Sequence, residues 1–296
     1  MESLIESFIK DEHITDRVKF EDYLSVYFNI RPCSFFTIPA ELPNASELAN
    51  KIDSECAENV ALILATKDLR LRGELIMDLR SKIRKLFKKY VLKSKVFEAH
   101  RFWAKRLNLK MRVEEVRPSI QEVYLYKDSK IGKRLKNLFK TRMSIRRAIL
   151  QMKPIGLPPS LLVYPEELSS TYVKELGSIL GYPECCVNKY AEERSSGIYV
   201  EERISNQIRE LKLKGKNPDP YAFFSSNFIP CSPTCENASS LGKKFHELLK
   251  EKFSDYADKY FKCLEENLNV AENFPKIIAE HRRIVNERAK DLITHM

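Results

Sequence analysis

Two short segments constrain this chain more than anything else in it. GYPECCVNKY (181–190) and PCSPTCENAS (230–239) each set two thiols beside a proline, at the start of a helical pattern. Proline is favoured at the first helical position, where its missing N–H would be unpaired anyway. A helix opening at Pro183 puts Cys185 and Cys186 in its first turn. Ser232 suits an N-cap and Pro233 a first helical residue, which puts Cys235 in a first turn and Cys231 just outside it. The expected fold therefore brings two helix N-termini together. There the helix dipole and free N–H groups favour thiolate, the form that binds metals and attacks electrophiles.

Four thiolates at one point repel unless something neutralises them. Four cysteines are the right count for a tetrahedral zinc ion or an iron–sulfur cluster. The spacings are C-C and C-x3-C rather than the C-x2-C knuckle of structural zinc sites, and Ala238 stands where a C-x3-C-x2-C pattern needs its third cysteine. Adjacent residues project about 100° apart on a helix, and a cluster tolerates that splay better than a single ion, so iron–sulfur is favoured over zinc. Two other readings stay open. One is a disulfide, for instance Cys186 to Cys235; the other is a metal-free thiol site for redox or sulfur-transfer chemistry. Glu184 and Glu236 adjoin cysteines and are candidate acids, bases or extra ligands, although helix-dipole preference explains them equally. Asn188 and Asn237 follow closely. His246 lies eleven residues beyond Cys235, about 16 Å along a helix axis, and is set aside as a ligand. Cys33, Cys56 and Cys263 stand alone among apolar residues and read as small buried hydrophobes.

The charge is segregated. Residues 67–153 carry 27 Lys and Arg against 8 Asp and Glu, whereas the rest of the chain carries 24 against 33. Clustered cations of this kind suit phosphate neutralisation, so RNA is a candidate partner; solvated helix faces are the plain alternative. The candidate contacts are Arg80, Arg84, Lys85, Lys88 and Lys89 on one amphipathic pattern. Arg101, Lys105 and Arg106 surround Phe102 and Trp103, and Lys133, Arg134, Lys136, Arg142, Arg146 and Arg147 form a third group. The tryptophan could stack on a base or sit in the core. No known nucleic-acid motif is present.

Strand-like runs at 33–40, 59–66, 121–127 and 160–164 alternate with helical patterns at 18–29, 69–92 and 133–152. Beyond a proline-rich stretch near 153–165, helices are expected at 170–180, 183–196, 201–214, 235–251, 254–267 and 274–293. This gives an α+β fold, mostly helical, read as a mixed domain over 1–165 and a helical, cysteine-bearing domain over 166–296. The acidic N-terminus has no signal-peptide pattern and no apolar run is long enough for a membrane span, so a cytoplasmic protein is expected. The Asn44-Ala-Ser and Asn237-Ala-Ser matches to a glycosylation pattern then carry no meaning.

G-Y-P-E-C-C-V followed by P-C-S-P-T-C-E-N-A resembles the signature of an archaeal family of unknown function, DUF483. The resemblance rests on Gly181, Pro183, Cys185, Cys186, Pro230, Cys231 and Cys235 and covers roughly 160–250. It implies an archaeal, cytoplasmic protein and supplies no activity. The basic first half is expected to lie outside the matched part.

Overall fold

Side-chain caps begin several helices of the computed structural model, which describes residues 3–152 and 163–294. Ser3 and Glu6 form a reciprocal capping box at α1 (Leu4–Lys10). Asp68 accepts from the Leu71 N–H at 2.8 Å and Ser94 from that of Phe97 at 3.1 Å. They start α4 (Leu69–Tyr90) and α5 (Lys95–Arg106) by pairing donors that a helix end leaves free. Between α1 and α4 lie a π-helical stretch, Val18–Leu24, continued by α2 (Ser25–Tyr27), then β1 (Cys33–Ile38) and α3 (Ala45–Ala65). After α5 come β2 (Lys110–Arg117), β3 (Ile120–Tyr126) and α6 (Ser129–Met152). The remaining helices are α7 (Ser170–Leu180), α8 (Glu184–Ser195), α9 (Val200–Leu213), α10 (Glu236–Lys252) and α11 (Ser254–Thr294).

The three strands form an antiparallel sheet in the order β1-β3-β2, with Tyr126 opposite both Cys33 and Lys110. The central strand is buried on both faces, and the period of two sorts its side chains. Val123 and Leu125 enter the main core. Tyr124 enters a second cluster with Leu135, Phe139, Tyr172 and Leu180 from α6 and α7. The main core draws Phe8, Phe36 and Trp103 from before residue 165 and Cys186, Ile204, Phe223, Phe245 and Tyr260 from after it. The fold is thus α+β and mostly helical, as the sequence patterns suggest.

Several elements differ from those patterns. Residues 59–65 lie in α3, not a strand: Leu62 and Leu64 are exposed on a helix that packs along α4. A short apolar run does not by itself tell strand from helix. The strand expected at 160–164 lies mostly outside the described residues, and Tyr164 caps the short 3-10 turn Pro165–Leu168. β2 is a strand absent from the expected set; its five charged residues leave no run of apolar alternation. The two helices expected after residue 254 are one, running through Pro275. No described helix is long and apolar enough to cross a membrane.

Candidate metal centre

The corner between α7 and α8 is made by Gly181, Tyr182 and Pro183. Gly181 ends α7 in the left-handed conformation at φ 71°, and a Cβ placed on it would stand 2.4 Å from Pro32 Cδ. Only glycine satisfies both demands. Helix α8 starts directly after Pro183, so Cys185 and Cys186 fall in its first turn. The second segment is fixed by α10, whose Gly242 allows the backbone of Tyr221 to approach; a Cβ there would meet Tyr221 O at 2.4 Å. Pro233 lies in a turn closed by the Cys235 N–H to Ser232 O at 3.2 Å, and Cys235 itself is the N-cap of α10 with an extended ψ of 110°. The helix therefore begins at Glu236, three residues later than the Ser232–Pro233 signal suggests.

These two segments bring the sulfur atoms of Cys185, Cys186, Cys231 and Cys235 within 4.8 Å of one another. Cys186 and Cys235 are 3.5 Å apart, and Cys185 is 3.8 Å from each of them. The splay expected of adjacent cysteines thus does not separate Cys185 from Cys186: their side chains turn to a shared point. All four are free thiols, so the Cys186–Cys235 disulfide is not formed. Two N–H groups point at the sulfurs. The Cys231 backbone donates to Cys186 Sγ and the Asn237 amide to Cys185 Sγ, both at 3.4 Å. Such donors orient ligand thiolates and offset their charge.

The two sides of the centre differ. Behind Cys186 is a cavity of about 90 Å³ walled by Phe35, Leu176, Leu180, Val187 and Phe228. Burial drives the Cys186 thiol far above its ordinary pKa and pushes that of Cys231 up to about 11. On the other side Cys185 faces an open groove with Glu184, Asn188, Asn237 and Leu241. Burial opposes ionisation of Cys185, but the Asn237 amide and the neighbouring thiols outweigh it and lower its pKa.

Glu184 and Glu236 are exposed first residues of α8 and α10, and among the described residues no carboxylate joins the four-thiol group. His246 is not part of it; its Nδ1 bonds Tyr221 Oη at 2.6 Å. Cys33, Cys56 and Cys263 are buried in the cores.

The basic candidates divide. Arg80, Lys85, Lys88, Arg101, Lys105, Arg106, Lys133, Lys136 and Arg147 are exposed. Arg84 pairs with Glu115 at 2.8 Å, Arg134 with Glu175 at 2.9 Å, and Lys89 donates to Tyr90 Oη at 2.6 Å, all from solvent-facing positions. Arg142 and Arg146 are corrections to the expected set. Arg142 is sealed in the second core, bonding Glu122 at 2.8 Å, Glu166 at 3.0 Å and Tyr172 Oη at 2.9 Å. Arg146 bonds Glu166 at 2.7 Å and Val116 O at 2.6 Å. Both lie on the face of α6 turned to the sheet, where a cation needs a carboxylate partner. Trp103 is buried, with its indole N–H donating to Asp11 at 2.6 Å, and Phe102 beside it is exposed. No sequence signal marks one further arrangement: Arg117, at the end of β2, lies near both Arg80 of α4 and Arg146 of α6. Burial, then these like charges, lower the pKa of its guanidinium.

Comparison with known proteins agrees with the family resemblance. A family model described as "Protein of unknown function (DUF483)" matches residues 107–262. The match extends upstream of the cysteine segments and includes the basic helix α6, so the basic part is not wholly outside it. An uncharacterized protein of Methanocaldococcus jannaschii, MJ1106, is 36% identical over 69 residues, which are 23% of this chain and 36% of that protein. The similarity thus spans about a third of the relative's length. No solved structure matches.

Proposed function

The chain belongs to the DUF483 family, and from the geometry of its four thiols we propose that it is a metalloprotein holding one tetrahedral thiophilic ion, zinc first, through Cys185, Cys186, Cys231 and Cys235. One observation carries the reading. The separations of 3.5–3.8 Å among Cys185, Cys186 and Cys235, with Cys231 within 4.8 Å of each, are close to the edge of about 3.8 Å that a tetrahedron of zinc–sulfur bonds of about 2.3 Å defines. An iron–sulfur cluster places iron and sulfide between its thiolates and holds them further apart. The residues present therefore fit a single ion better than a cluster. Such an ion supplies charge neutralisation and a tie between the α7–α8 corner and the start of α10; structural zinc is typically worth on the order of 10 kcal/mol or more in apparent binding free energy. Anaerobic purification with metal and acid-labile sulfide analysis tests this. One zinc per chain without sulfide is expected; iron with stoichiometric sulfide replaces the ion by a cluster, and a chain that neither carries nor takes up metal defeats the reading.

A second reading concerns the basic part. We propose that the exposed cations of α4 and α5, among them Arg80, Lys85, Lys88, Arg101 and Lys105, engage RNA phosphates in the cytoplasm. It is favoured by the excess of cations over residues 67–153, 27 Lys and Arg against 8 Asp and Glu, and by the exposure of these side chains, since clustered exposed cations suit phosphate contacts.

A further inference from the structure

The four sulfurs do not share one environment. Cys186 and Cys235 are buried and Cys231 is half-buried, whereas Cys185 is exposed on the open groove. Thiol oxidation follows access as well as thiolate character, so a soluble oxidant meets Cys185 before the other three. Cys185 Sγ lies 3.8 Å from Cys235 Sγ, so the exposed thiol and a buried one are already neighbours across the two chain segments.

We propose that Cys185 is a site of oxidative modification, the thiol through which hydrogen peroxide reaches the centre, with Cys235 as the thiol that then closes a disulfide. This deepens the metal-centre reading and rests on it. In the first step the Cys185 sulfur donates an electron pair to one peroxide oxygen. The O–O bond breaks, leaving a sulfenic acid on Cys185 and, after protonation, one water. In the second step the Cys235 sulfur attacks the Cys185 sulfur. The S–S bond forms, the S–OH bond breaks, and the hydroxide leaves with a proton as a second water. Two thiols have given two electrons to one peroxide. Cys186 and Cys231 alone would then remain to hold an ion, and its release would follow.

Cys186 is equally near but is a poor partner. Consecutive Cα atoms stand about 3.8 Å apart across a trans peptide, below the roughly 4.4–6.8 Å that a disulfide spans. Cys235 comes from the other segment and is free of that restriction.

The experiment adds one equivalent of hydrogen peroxide to the full chain loaded with zinc. Zinc release is followed with a chromophoric chelator, and cysteine states are mapped by mass spectrometry without reduction. A Cys185–Cys235 disulfide with stoichiometric zinc release is expected. Cys235→Ser should accumulate sulfenic acid at Cys185, trapped by dimedone, and Cys185→Ser should release zinc at least tenfold more slowly. Oxidation of another of the four with Cys185 intact, a Cys185–Cys231 disulfide, or a Cys185→Ser release rate within twofold of the parent overturns the proposal. If Cys185→Ser does not hold zinc, the parent chain and Cys235→Ser decide it. Should the chain bind no metal at all, the metal reading alone fails, because the same mapping on the metal-free chain still shows whether Cys185 reacts first and with which partner.

Discussion

Arg142→Met should destabilise the protein strongly while leaving its surface chemistry unchanged. The side chain of Arg142 is 2% exposed, and those of its partners Glu122 and Glu166 are 3% and 1% exposed. Removing the guanidinium leaves Glu166 paired with Arg146 at 2.7 Å, but deprives Glu122 of its cation and leaves it the Tyr124 hydroxyl at 2.7 Å. Stripping one member from a buried ion pair costs about 3–5 kcal/mol, mostly through the charge left behind. At about 2–4 °C per kcal/mol for a large domain, the melting temperature should fall by about 6 °C or more. Adding Glu122→Gln neutralises the stranded charge while keeping an acceptor for Tyr124, so the double variant should regain part of the loss. Urea and thermal unfolding of the parent, both single variants and the double variant measure this coupling. A loss below about 1 kcal/mol, or a double variant no more stable than Arg142→Met, refutes the argument. RNA affinity should be the same in all folded variants, since the guanidinium does not reach solvent.

Gly181→Ala should cost about 2 kcal/mol or more, from the left-handed backbone and the contact with Pro32; a variant as stable as the parent in urea would show that the corner needs no glycine. Stability should also fall as pH rises from about 6.5 to 8. Burial raises the Glu21 and Glu167 carboxyls to about 7 in the folded chain. The folded state therefore holds protons that the unfolded state has lost; the full effect, on the order of 3 kcal/mol per group, develops mostly between about pH 4.5 and 7, and about 1 kcal/mol or less per group of it falls above pH 6.5. His100, lowered by burial to about 3, acts in the opposite sense but only below about pH 6.5. Flat unfolding midpoints across that window would exclude buried protonated carboxyls. Replacing Arg80, Lys85, Lys88 and Lys89 together by Gln should weaken transfer-RNA binding at least tenfold and flatten its dependence on salt, because fewer counterions are released; unchanged affinity and slope would remove α4 from any RNA interface.

The cysteine site was more legible than the sheet around it. Proline, glycine and thiol spacing act locally, so the α7–α8 corner and the place of each cysteine pair beside a helix start follow from nearby residues, whereas the meeting of the two pairs is tertiary. Ser232 and Pro233 suit a turn as well as a helix, and in the fold they form the turn, so α10 starts at Glu236. The run at 59–66 misled for a related reason, since its apolar residues fit either strand or helix until α4 is present as a neighbour. Charge was legible in amount but not in direction: Arg142 and Arg147 lie on one helix, and only the position of the sheet sends the first inward. The separation of the sulfurs, on which the proposal of one ion rather than a cluster rests, depends on side-chain rotation and leaves no trace in spacing.

X-ray absorption at the metal edge of the anaerobically purified protein tests the central claim most directly. Four sulfur neighbours at about 2.3 Å around zinc, with no heavier scatterer nearby, is the predicted result. A metal–metal distance in the spectrum, or a first shell made mainly of nitrogen and oxygen, would contradict it.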